Sequence, residues 1–234
     1  MAIPTHKSRR ATAGEPLEPS PDVPVYLLFG TDDYLVGSEA KRLADVLCPP
    51  DRQALGMEEV SGVADTNDAA VAALRRCLSA IQTVGFFGGG KLVWFRDVSF
   101  LKTAKILQSD AVKTWLGQLT ALIRDGLPPG HQLLITAREI DGRSALAKAC
   151  QTAGRSAAFN VPERAYEAQP HAEEIARAAF ARARLRVGPA ELRAFVDKVG
   201  YESRPLHQEV DKLATYLGPN SIVSGTDIET LTSP

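Results

Sequence analysis

Long apolar runs are missing from this sequence. The longest, Val23 to Phe29 and Gln132 to Thr136, fall far short of the ~20 residues that cross a bilayer. No membrane partner is expected, and Lys7, Arg9 and Arg10 are followed by no apolar stretch of a secretory signal. Cysteine is scarce. Cys48, Cys77 and Cys150 stand far apart, with no CxxC and no Cys/His pair, which argues against a zinc site and a disulfide framework and suits a reduced cytoplasm. An excess of charge of either sign is absent too: 27 Lys and Arg face 28 Asp and Glu. That balance excludes a protein that coats nucleic acid by bulk charge, while leaving a local basic face open. Aromatic residues make up only 6%, yet 44% of the 234 residues are hydrophobic, enough for the core of one large domain or two small ones.

What is there is alternation. The first 24 residues, rich in Pro, Ser, Thr and Glu, read as a disordered leader. VYLLFG from Val25 to Gly30 is a short apolar run ended by glycine, the signature of a strand buried on both faces. Val36, Ala40, Leu43 and Leu47 follow at helical spacing behind the capping candidates Thr31 to Asp33. A second helix carries Val71, Leu74, Leu78 and Ile81 behind Thr66, and Leu92 to Phe95 read as a strand. Val112, Trp115, Leu116, Leu119 and Ile123 mark a helix, Leu133 to Thr136 a third strand, Ser144 to Thr152 a helix and Ala157 to Phe159 a fourth strand. Strands and helices in alternation predict a parallel sheet with helices on both faces. From Asn160 to Pro170 periodicity is lost, which marks a domain boundary. Beyond it three helical stretches, two of them ending at Gly200 and Gly218, predict a small bundle. A short final helix would be capped by Thr226 or Asp227.

Gly85, Gly90 and Lys91 fit the GxxxxGK part of a phosphate loop. Such a loop must follow a strand, open a helix and offer a hydroxyl to magnesium. Here a helix precedes, the strand LVWF follows, and Leu92 fills the hydroxyl position. The segment in the right place, Gly30 to Leu35, has one glycine, no lysine and two carboxylates, Asp32 and Asp33, that repel a triphosphate. The strand LLIT runs into Ala137 and Arg138 where a nucleotide-hydrolysing protein would place acids. The expected site is degenerate, with no cofactor and no metal. Carboxylates holding two metal ions for nucleotidyl transfer are not found either.

Four stretches, VYLLFGTDDYLVGSEAKRL, TVGFFGGGKLVWFRD, LLITAREIDGRSALAKA and FVDKVGYESRPLHQEVDKLATYLG, together resemble the delta subunit of bacterial DNA polymerase III, the clamp-loader subunit that opens the sliding clamp. They occur in that family's order and cover about Val25 to Thr230. The resemblance implies an AAA+-like domain without ATP binding over residues 25–162, which binds the clamp, and a helical lid over 163–234. The family's third domain, a helical collar, would begin where this chain stops at Pro234 and is absent from it. Implied partners are the sliding clamp (beta subunit), the other clamp-loader subunits and primed DNA, within a DNA-directed polymerase (nucleotidyltransferase) holoenzyme, without catalysis by this chain. By the same resemblance, Phe86 and Phe87 enter the apolar pocket of the clamp, with Val84 and Gly85 shaping the turn. Two adjacent phenylalanines among glycines are also poorly placed to share one core face, and buried aromatic anchors carry much interface energy.

Two other readings stand beside this one: a P-loop NTPase using Lys91, and a non-catalytic structural adaptor in the replisome. Arg177, Arg182, Arg184 and Arg186 could touch phosphates, but read more simply as a solvated face paired with Glu173 and Glu174. His131, His171 and His207 have no ligands nearby in sequence. Glu209 and Lys212 read as a surface ion pair, and Trp94 and Trp115 as core.

Overall fold

Five parallel strands organise the first of two compact units, which run to Asn160 and from Val161 in the computed structural model. The structure describes residues 16–83 and 90–233. The strands β1 (Val25–Phe29), β2 (Met57–Ser61), β3 (Leu92–Val98), β4 (Gln132–Ala137) and β5 (Arg155–Ala158) lie in the order β2-β3-β4-β1-β5. Every neighbouring pair is parallel, so each connection must cross over through a helix or loop. The crossovers carry α1 (Asp33–Leu47), α2 (Pro50–Gly56), α3 (Asn67–Gln82), α4 (Ala104–Leu107), α5 (Asp110–Asp125) and α6 (Ala145–Ala153).

Alternate strand residues face opposite sides. Val25, Leu27, Val93, Phe95, Leu133 and Ile135 pack with α3, α5 and α6 in one apolar cluster. Tyr26, Leu28, Leu92, Trp94 and Leu134 pack with α1 in another. Burial on both faces is why β1 and β4 read as unbroken apolar runs. The edge strand β2 escaped that reading because its sequence MEEVS buries only Val60, and charges on an edge strand discourage pairing with another chain.

The reading of residues 1–24 as a structureless leader meets a different picture from residue 16 onward. Leu17 and Val23 are buried against α1 and β1. The Leu17 amide donates to Glu39 at 2.7 Å, and Arg42, paired with Glu39 at 2.8 Å, donates to the Leu17 carbonyl. The Tyr26 hydroxyl accepts from the Ser20 amide at 2.7 Å, and the Gln132 side-chain amide donates to the carbonyls of Ser20 (3.0 Å) and Val23 (2.8 Å). Composition hid this strap because its contacts are made by its backbone and two apolar side chains.

The second unit comprises α7 (Ala165–Arg182), β6 (Arg186–Val187), α8 (Pro189–Val199), α9 (Ser203–Leu217), β7 (Ile222–Val223) and α10 (Gly225–Leu231). Helix α7 starts inside the stretch where periodicity fails and runs through Pro170. The missing N–H is outweighed by the buried stripe Ala172, Ile175, Ala176, Ala179 and Phe180. Phe180 meets Phe195 edge-on at 5.0 Å between ring centroids. Helices α8 and α9 end at Gly200 (φ 96°) and Gly218 (φ 78°). Ser224, rather than Thr226 or Asp227, caps α10 in a reciprocal capping box with Asp227.

Candidate functional site

The loop after β1 lies at the edge of the sheet where the strands end, the usual ligand edge of an open α/β sheet. Its amides are already committed. Gly30 donates to the Ala137 carbonyl (3.2 Å), Thr31 to the Asn160 side chain (3.3 Å) and Asp32 to the Phe159 carbonyl (3.0 Å). A Cβ on Gly30 would fall 1.8 Å from the Phe159 oxygen, so the chain leaving β5 closes directly over the turn. Asp32 is buried and caps α1 by accepting from the Leu35 amide at 3.0 Å. An anion at this helix start would meet a carboxylate already in its place. Asp33 faces Arg138 at 3.7 Å. At the end of β4 the Thr136 hydroxyl accepts from Trp94 Nε1 (3.3 Å) and the Asp97 amide (2.9 Å), a structural duty that supports the bulge where Asp97 takes φ 56°.

The connection from α3 to β3 opens at the opposite edge, where the strands begin. Phe86, Phe87, Val84 and Gly85 lie outside the described residues, while both stems of their connection are described. On one side Thr83 closes α3, its amide and hydroxyl both donating to the Ser79 carbonyl at 3.0 and 2.7 Å. On the other, Gly90 sits so close to Gly130 that a Cβ on it would fall 1.9 Å from the Gly130 oxygen. Lys91 follows, buried, donating to the Glu58 carboxylate on β2 and to the Ala80 carbonyl (3.1 Å) at the end of α3. The lysine of the GxxxxGK match thus ties an edge strand to a helix, and Leu92 begins a strand rather than a helix.

His131, which sequence spacing left without a role, is buried beside this connection. Its Nε2 lies 3.3 Å from the Thr83 carbonyl and its Nδ1 3.3 Å from the Pro129 carbonyl. The Gln132 amide donates to the Lys91 carbonyl at 2.8 Å. No local signal marks these residues, because Thr83, Lys91 and Val23 lie about 40 to 110 positions away in the chain.

Burial pushes the thiols of Cys77 and Cys150 up to about 12, which keeps them protonated and unreactive. Among the described residues no group of three His, Cys, Asp or Glu converges as a metal site would require, and no helix is long and apolar enough to cross a membrane. In the helical unit Glu173 pairs with Arg193 at 3.7 Å instead of Arg177. Arg186 donates to the Asn220 carbonyl at 3.2 Å. Glu209 and Lys212 pair at 2.6 Å, as their spacing predicts.

The family model described as DNA polymerase III, delta subunit, matches residues 26–157. No curated protein matches the chain. Among solved structures, a Bacillus subtilis DNA clamp loader delta protein superposes with a TM-score of 0.64 at 19% identity, over 90% of this chain and 58% of that one. At that identity the likeness is one of fold, and the chain spans less than two thirds of that protein. A Thermotoga maritima RuvB Holliday junction branch migration motor aligns at a TM-score of 0.41 and 11% identity, over 87% of this chain and 59% of that one.

Proposed function

The chain belongs to the DNA polymerase III delta subunit family, and from that membership we propose that it binds and opens the ring-shaped sliding clamp for loading on primed DNA. The contact is the connection between α3 and β3, with Phe86 and Phe87 as apolar anchors and Val84 and Gly85 shaping the turn. The observation that carries this reading is the fixing of both stems, at Thr83 and Gly90, on the sheet edge opposite the loop after β1. Binding residues are commonly set on a loop held by a rigid scaffold. Stems fixed in advance reduce the entropy that a binding segment loses to ordering.

Opening of a closed ring needs no chemistry in this chain. A partner shifts an equilibrium by preferring one of its states. The chain seats on one clamp protomer, and the bound geometry fits the open ring better than the closed one. ATP turnover belongs to other loader subunits, with which the chain assembles in the cytoplasm. The committed amides of Gly30, Thr31 and Asp32 and the buried Lys91 support this division of labour.

A clamp carrying a fluorophore pair across its subunit interface tests the reading. Adding the chain, without ATP, should raise the separation signal to saturation. A signal that stays at the closed-ring level while the chain is bound contradicts opening, and ATP binding lost on Lys91→Ala would restore the NTPase reading.

A further inference from the structure

Three consecutive residues, Gly130 and His131 before β4 and Gln132 at its start, grip both stems of the connection that contains Phe86 and Phe87. Gly130 (φ 76°) abuts Gly90, with a hypothetical Gly130 Cβ 3.0 Å from the Gly90 Cα. His131 places Nε2 at 3.3 Å from the Thr83 carbonyl, and the Gln132 amide holds the Lys91 carbonyl at 2.8 Å. The side chain of the same Gln132 holds the strap through the carbonyls of Ser20 and Val23. One short segment therefore joins the N-terminal strap, the end of α3 and the start of β3.

The chemistry of His131 is particular. Both ring nitrogens face carbonyl oxygens, Thr83 on one side and Pro129 on the other, and a carbonyl accepts only from a ring N–H. With the ring proton on Nε2, His131 donates to the Thr83 carbonyl, the last described backbone group before the connection. Phe86 and Phe87 stand three and four residues beyond Thr83, and four and three residues before Gly90. Stems fixed in advance reduce the entropy that a binding segment between them loses on association, which raises affinity without a new contact.

We propose that His131, with Gly130 and Gln132, is a positioning residue for the clamp contact, acting through the Thr83 and Gly90 stems and joined to the N-terminal strap by Gln132. The proposal rests on the clamp reading above. It assigns no contact with the clamp to His131 itself.

The test is clamp affinity of the full chain carrying His131→Leu or His131→Gln, alone and together with Phe86→Ala/Phe87→Ala. Gln keeps an amide donor near the Nε2 position, whereas Leu keeps bulk and loses the donor. Expected are an affinity loss of about tenfold for Leu, recovery of most of it by Gln, and no further loss from Leu where both phenylalanines are already alanine. Ile228→Ala, a buried change in the helical unit with a comparable loss of melting temperature, should leave affinity unchanged. Wild-type affinity in a folded His131→Leu chain overturns the proposal, as does an equal loss with and without the phenylalanines. Failure of the wild type to bind the clamp overturns the clamp reading itself, and this inference with it.

Discussion

Lys91 donates its buried ammonium to the carboxylate of Glu58 on the neighbouring strand, and to the Ala80 carbonyl at 3.1 Å. Lys91 is 9% exposed and Glu58 46%, so the two ends of the pair are not equivalent. Glu58→Ala strands a buried cation and should cost about 1–3 kcal/mol. Lys91→Met leaves a carboxylate that water can reach, and should cost less, about 1 kcal/mol or under. Urea denaturation of both variants decides. Equal or reversed costs would mean that the pair is not the reason for the lysine.

Gly90 lies too close to the Gly130 backbone for any side chain, whereas Gly117 in α5 has nothing within 4 Å of its hypothetical Cβ. Gly90→Ala meets backbone and should destabilise by about 2 kcal/mol or more. Gly117→Ala gains helix propensity and should stabilise by about 0.5–1 kcal/mol. Thermal unfolding of the two variants should move in opposite directions from the wild type. A neutral Gly90→Ala would show that the stems are not held together as described.

Burial raises the Tyr26 phenol above its ordinary 10.0, with the Ser20 hydrogen bond and the charges of Arg155 and Arg42 opposing. The folded chain therefore keeps this proton at a pH where the unfolded chain loses it. The resulting contribution is whole below about pH 10 and falls as the pH rises further. Tyr26→Phe should lose about 1 kcal/mol at neutral pH, through the bonds to Ser20. It should also show a shallower alkaline decline. Parallel stability curves from pH 8 to pH 11 would contradict this.

Cys77 and Cys150, both pushed up to about 12, should resist thiol reagents in the folded chain. Cys48 is buried as well, and its thiol is also raised by burial. Labelling at pH 8 should therefore be slow for all three and become fast in denaturant. Fast labelling of Cys77 in the native chain would show that α3 opens readily.

The sheet was legible because β1 and β4 are buried on both faces and so read as apolar runs, and because α3 and α5 keep their apolar residues at helical spacing. β2 was not legible, since one buried residue among MEEVS makes no pattern. Helix α7 was cut short in the sequence reading by Pro170, a local rule overruled by packing further along the helix. The strap was missed because Leu17 is held through its own N–H and C=O by Glu39 and Arg42, and backbone contacts leave no mark on composition. Of the loop after β1, the capping role was legible from the stretch Thr31 to Asp33, within which Asp32 caps α1. His131 was not, because its partner Thr83 is 48 residues away. Trp94 is buried as expected, whereas Trp115 is only half-buried and carries the Arg75 guanidinium over its ring at 5.3 Å.

Equilibrium titration of the chain against the cognate sliding clamp, wild type beside Phe86→Ala/Phe87→Ala, tests the central claim most directly. The account predicts saturable binding by the wild type without ATP, and at least a thirtyfold loss in the double variant, about the 2 kcal/mol that one buried aromatic anchor commonly contributes. Undiminished binding by a folded double variant would contradict it, and would move the clamp contact away from the connection between α3 and β3.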